Sequence, residues 1–66
     1  MQGNLLKAKI YEKGYKIQDL KAILKKSLNA IYMKIKGKTP FTNDEIKEIK
    51  NFLNLTDEEV TTIFLN

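Results

Sequence analysis

The sequence predicts an all-α fold, a compact five-helix bundle with a helix-turn-helix in helices 2 and 3, occupying residues 1–66 as one domain. Three observations predict it. Apolar residues recur at helical spacing in five short stretches, and no segment alternates as a half-buried strand does. Two stretches open on Thr-x-x-Glu, the signature of a capping box. Glycines stand just past two of the stretches, where a left-handed residue ends a helix.

The first helix is expected from about Asn4 to Lys13, with Asn4 as N-cap and Leu5, Leu6 and Ile10 turned inward. Gly14 stops it. The second covers about Ile17 to Leu24, with Ile17, Leu20, Ile23 and Leu24 on one face. The third starts after Ser27, its natural N-cap, and ends near Lys36, with Gly37 as the stop. Leu28, Ile31 and Ile35 form its apolar stripe, and Tyr32 sits at the edge. GKTPF, residues 37–41, is a connector. Thr42 with Glu45 opens the fourth helix, and Thr56 with Glu59 opens the fifth. Phe41 and Ile46, and likewise Leu55 and Val60, occupy the two positions of a hydrophobic staple. The fourth helix is expected to bury Ile46, Ile49 and Phe52 or Leu53, and the fifth to offer Val60, Ile63 and Phe64.

A domain this small buries only roughly 60% of its unfolded-state surface, so packing must be efficient. Cysteine and histidine are both absent. No disulfide staples the fold, no thiolate or imidazole holds a metal, and the commonest acid–base group is missing. The acidic residues of the rear half read as helix-cap and dipole chemistry, Asp44, Asp57 and Glu58 among them. Neither a cofactor nor an enzymatic role is expected. No apolar run approaches the ~18 residues of a membrane span, and the N-terminus lacks the apolar core of a signal peptide. A cytoplasmic protein without membrane partners is the expectation.

Charge is unevenly spread. Residues 1–40 hold ten lysines against Glu12 and Asp19, whereas residues 41–66 hold two lysines against six acids. A polyanion is therefore expected to meet the front half and be repelled by the rear. Every basic residue is lysine, a point charge without the bidentate fork of arginine.

Ile17 to Gly37 thus reads as two amphipathic helices joined by a tight polar turn, the layout in which a second helix enters the DNA major groove. Asn29, Met33 and Lys36 project to one side of the third helix. Asn29 can pair with adenine in bidentate fashion, and Leu28, Tyr32 and Met33 can offer apolar contact to thymine methyls. The Ser27 hydroxyl is either a cap or a contact to a base or phosphate. Lys25 and Lys26 at the turn, Lys34, Lys36 and Lys38 along and after the third helix, and Lys16 before the second are expected to supply phosphate contacts. The Lys38–Thr39 loop and Asn43 add backbone contacts.

EKGYKIQDL at 12–20 and SLNAIYMKIKGKTPFTNDEI at 27–46 resemble the lambda-repressor-like, or Cro-type, helix-turn-helix domains of phage and bacterial regulators. FLNLTDEEVTTIF at 52–64 resembles their last two helices. The resemblance implies a small regulator of phage or prophage origin that binds double-stranded operator DNA, generally as a homodimer. It places groove contacts on Ser27, Leu28, Asn29, Tyr32 and Met33, and backbone contacts near Lys16 and Ile17 and around Lys38. Ile63, Phe64 and Leu65 are candidates for a dimer surface or for packing on the first helix.

The departures from that family are specific. It usually has threonine then glutamine where this chain has Lys16 and Ile17, so the cap of the second helix and a phosphate-contacting amide are lost. It usually has alanine at Lys21, and glycine then an aliphatic residue at Lys25 and Lys26. A lysine forced left-handed at the turn costs about 1–2 kcal/mol, and Leu28 is expected to tuck inward, away from the groove, to replace the anchor lost at Lys26. These departures motivate a second expectation, a protein-interaction module, adaptor or antirepressor with weak or no DNA binding on the same fold.

Overall fold

The computed structural model describes residues 1–65 and is all-α among them. Five α-helices run in order: α1 (Gly3–Glu12), α2 (Leu20–Leu24), α3 (Leu28–Ile35), α4 (Asn43–Leu53) and α5 (Asp57–Phe64), with a 3₁₀ turn at Ile17–Asp19 ahead of α2. The radius of gyration is 10.5 Å, against roughly 10.8 Å for a packed chain of this length. α1 packs on α3 and α5, α2 on α3 and α4, and α4 on α5. Leu6, Ile10, Leu20, Ile31, Ile49, Leu53 and Ile63 are fully buried where these helices meet.

Local cap chemistry sets the starts of both rear helices and the end of α4. Thr42 Oγ1 accepts the Glu45 N–H at 3.1 Å, and Glu45 Oε1 accepts the Thr42 N–H at 2.9 Å. The same reciprocal pair joins Thr56 and Glu59 at 3.1 and 2.9 Å. At the end of α4, Asn54 takes the left-handed conformation, φ 54°, which asparagine tolerates better than most residues. α1 and α3 end alike. Past α1, the Tyr15 N–H bonds the Ile10 carbonyl and the Gly14 N–H bonds that of Tyr11. Past α3, the Lys38 N–H bonds the Met33 carbonyl and the Gly37 N–H bonds that of Lys34. Both are Schellman motifs, and their glycines have φ of 87° and 82°.

Three sequence expectations are corrected here. Asn4 is not the N-cap; α1 starts at Gly3, after Gln2, without a side-chain cap bond. Its entry is set by packing, because the Gln2 N–H donates to the Ile63 carbonyl at 2.7 Å. Leu5 is exposed rather than inward, since the buried line of α1 runs through Leu6 and Ile10. The second helix is not continuous from Ile17. The Asp19 carboxylate accepts the Lys16 N–H at 2.8 Å, and the Asp19 N–H bonds the Lys16 carbonyl at 3.0 Å. This i→i+3 bond tightens the first turn into 3₁₀ geometry and partly replaces the cap that a lysine side chain cannot provide.

Among the described residues there are four ion pairs, three between helices and one, Lys9–Glu12, within α1. Lys34 Nζ lies 2.9 Å from Glu45 Oε1 and also donates to the Pro40 carbonyl at 2.9 Å. Lys9 Nζ bridges to Glu59 at 2.7 Å and to Glu12 at 3.1 Å. Lys50 pairs with Asp57. The Lys9 ammonium, then the Thr56 N–H, hold the Glu59 carboxyl down to about 2. Burial pushes Glu45 up, but the Thr42 N–H and Lys34 outweigh it and bring it below the ordinary carboxylate range. Among the described residues no helix is long and apolar enough to cross a membrane.

Candidate nucleic-acid interface

α3 buries Ile31 and Ile35 and leaves its other side open. Asn29, Tyr32, Met33 and Lys36 stand at i, i+3, i+4 and i+7, so they form one outward line. Asn29, Tyr32 and Lys36 are exposed and Met33 is half-buried. With side chains an α-helix is about 10–12 Å across, a cross-section that a major groove about 12 Å wide admits.

Ser27 is the N-cap, its Oγ accepting the Ala30 N–H at 3.1 Å. Its hydroxyl hydrogen remains a donor. Leu28 is half-buried and packs against the core, so it turns partly inward as the polar residue at Lys26 demands. It still borders two clefts, one between α1, the 3₁₀ turn and α3 with Lys16 and Tyr32, and the other on the α2 side with Lys21 and Asp19.

The lysines sort into two groups. Lys34 is withdrawn from the expected phosphate set, because its side chain is 12% exposed and committed to Glu45 and Pro40. Lys9 is likewise engaged by acids. Among the described residues the other eight lysines of the front half form no ion pair. Four of these bracket α3. Lys25 and Lys26 precede its cap, and Lys36 and Lys38 follow its last turn; all four are exposed.

Lys16 is exposed and borders the cleft beside Tyr32. Ile17 is corrected as a contact residue. Its side chain is 4% exposed within the core, so only its backbone N–H, at the first position of the 3₁₀ turn, is left for a phosphate. Thr39 is exposed in the α3–α4 connector, and Asn43 is exposed at the first position of α4. Lys25 adopts φ 55° and ψ 43°, the strained left-handed geometry expected where a lysine stands in place of glycine.

Tyr11 is a residue that sequence reasoning missed. It is 58% exposed at the end of α1 and borders the same cleft as Lys16 and Tyr32. The signal was present, since Tyr11 falls off the Leu6–Ile10 line, but its neighbours across the fold were not readable. The candidate dimer residues divide. Ile63 and Phe64 are core, Phe64 meeting Phe41 edge-on at 5.5 Å, whereas Leu65 is 72% exposed.

No family model, curated protein or solved structure matches this chain.

Proposed function

We propose that this chain is a sequence-specific, double-stranded-DNA-binding transcriptional regulator of the lambda-repressor-like type, of phage or prophage origin, acting in the cytoplasm and not as an enzyme. In this reading α2, the turn and α3 act as a helix-turn-helix, with α3 in the major groove. One observation carries it: on the outward line Asn29–Tyr32–Met33–Lys36 three residues are exposed and Met33 is half-buried, and the line is bracketed at both ends by lysines that form no ion pair among the described residues. Asn29 supplies a donor and an acceptor for adenine, Met33 and Tyr32 supply apolar contact, and the lysines grip phosphates on either side. The withdrawal of Lys9 and Lys34 by rear-half acids leaves the remaining positive charge on the front-half surface. Binding as a homodimer suits palindromic operators, and the exposed Met1, Leu5 and Leu65 supply apolar area near the α1–α5 junction.

The test is fluorescence anisotropy with a pool of mixed duplexes at low salt, followed by selection of bound sequences. The reading expects micromolar or tighter binding that weakens steeply as salt rises. No binding to any duplex, together with recovery of a protein partner, would favour the interaction-module alternative instead.

A further inference from the structure

A concavity of about 360 Å³ lies where the end of α3, the α3–α4 connector, the start of α4 and the end of α5 meet. Its walls include Lys34, Thr39, Pro40, Phe41, Ile46 and Phe64. Small-molecule sites run from roughly 300 to 1,000 Å³ and pair an apolar lining with a few placed polar groups. Here the phenylalanine rings meet edge-on at 5.5 Å, and Pro40 and Ile46 extend the apolar lining. Lys34 is the one charged side chain on the wall, with its ammonium 5.8 Å from the Phe41 ring centroid. An ammonium group carries three donors. Two are used, on the Pro40 carbonyl and on Glu45 Oε1, each at 2.9 Å. Among the described residues the third has no acceptor, and with the side chain 12% exposed bulk water serves it poorly. Glu45 balances the Lys34 charge, but the connector itself is positive. Gly37, also on the wall, stands between Lys36 and Lys38, both exposed and without an ion pair among the described residues.

We propose that this cavity is an effector site for a small monocarboxylate with an aromatic or branched-aliphatic body. The body lies against Phe41, Ile46 and Phe64. The carboxylate accepts the third Lys34 hydrogen and the Thr39 hydroxyl, while Lys36 and Lys38 attract it at longer range. A charge-assisted bond is roughly twice as strong as a neutral one, which favours a carboxylate over an uncharged acceptor. The site stands apart from the DNA-binding reading, whereas its regulatory consequence rests on that reading. Lys38 and Thr39 belong both to the cavity's connector and to the proposed backbone contacts. A bound carboxylate engages the Thr39 hydroxyl and offsets the positive charge of the connector. Ligand and duplex therefore weaken each other, each by the same factor.

The first measurement needs no DNA. The isotope-labelled full chain is titrated by NMR with phenylacetate and with isocaproate, against phenylacetamide and acetate as controls. Saturable amide shifts are expected at residues 37–41, Ile46 and Phe64 with both test acids, about tenfold weaker binding with phenylacetamide, and no saturation with acetate. Thr39→Val should weaken phenylacetate roughly fivefold. Lys34→Met combined with Glu45→Gln, which removes both buried charges together, should erase the preference for phenylacetate over phenylacetamide. Thermal melts by circular dichroism check both variants, and Thr39→Val, in the exposed connector, decides the matter if the double variant does not fold. Shifts that never saturate, that saturate alike with acetate or phenylacetamide, or that map to the exposed lysines of α2 overturn the site. The second measurement is anisotropy with the selected duplex, where saturating phenylacetate should weaken binding roughly fivefold and acetate at equal ionic strength should not. Unchanged duplex affinity with the cavity filled overturns the regulatory coupling. If the wild type binds no duplex, the proposed function and the coupling fall, and the first measurement still decides the site.

Discussion

Gly3 lies against the carbonyl of Ile35 so closely that a β-carbon on Gly3 would stand 2.3 Å from the Ile35 oxygen. The backbone at the start of α1 therefore rests directly on the end of α3. This contact joins the first helix to the one that carries the candidate interface. It also turns an ordinary substitution into a discriminating one.

Within a helix, glycine to alanine normally stabilises by about 1 kcal/mol. Gly3→Ala is expected to do the reverse, costing about 1–3 kcal/mol as the helices are forced apart. Thermal unfolding followed by circular dichroism reads this directly, at about 4–8 °C per kcal/mol for a domain of this size. A melting temperature at or above that of the wild type means the close approach is not maintained.

Lys25 holds φ 55° without being glycine. Lys25→Gly removes the side-chain clash of that conformation but gives the unfolded chain more freedom. The expected balance is a gain of about 0.5–1 kcal/mol, visible as a higher melting temperature, whereas Lys26→Ala should be neutral for stability. If Lys25 grips a phosphate, Lys25→Gly also lowers the salt slope of DNA binding by about one.

Acid should unfold this protein in a defined window. Glu59 has its carboxyl drawn from 4.5 down to about 2, and Glu45 and Asp57 are also lowered. A carboxylate depressed in the folded state contributes stability above its unfolded pKa. That stability is lost as pH falls through the folded value. Melting temperature is therefore expected to be level near neutrality and to drop between about pH 4.5 and 2. Glu59→Gln should flatten part of that drop. Removing Glu45 should cost more at neutral pH, about 3 kcal/mol, because Lys34 would be left nearly buried without its partner.

Base reading and backbone gripping separate by mutation. Asn29→Ala is expected to erase preference at one base pair, about 1–3 kcal/mol, with little effect on random DNA. Lys36→Ala should weaken all duplexes alike and reduce the salt slope by about one. Equal losses for both variants on selected and random duplexes mean that α3 does not read bases.

The parts of the fold legible in the sequence were those governed by neighbours along the chain. The capping boxes at Thr42 and Thr56, the Ser27 cap, and the stops at Gly14 and Gly37 depend on groups a few residues apart. Their chemistry is written in adjacent letters. The core is legible to the extent that a stripe has one inward side, which singles out Ile31 and Ile49; between Phe52 and Leu53 the pattern leaves the choice open, and the fold buries Leu53. What was not legible depends on contacts made across the fold. Lys34 and Glu45 are eleven residues apart, and nothing local marks Lys34 as withdrawn from the surface. Gly3 has no sequence signature that separates it from a flexible end. Leu5 and Leu6 are equally apolar, and only the placement of α3 and α5 decides which faces in. For the same reason the line Asn29–Met33–Lys36 was legible and the cleft joining Tyr11 to Tyr32 was not.

The bond from the Gln2 N–H to the Ile63 carbonyl holds the start of α1 against the last turn of α5. A short glycine–serine tether joining the end of α5 to the start of α1 has little distance to span, and a new opening in the exposed Lys38–Thr39 stretch would yield a circularly permuted chain with the same helix contacts. Closing the ring without reopening it shrinks the unfolded ensemble, so backbone cyclisation offers a way to raise stability in a protein that has no cysteine to cross-link.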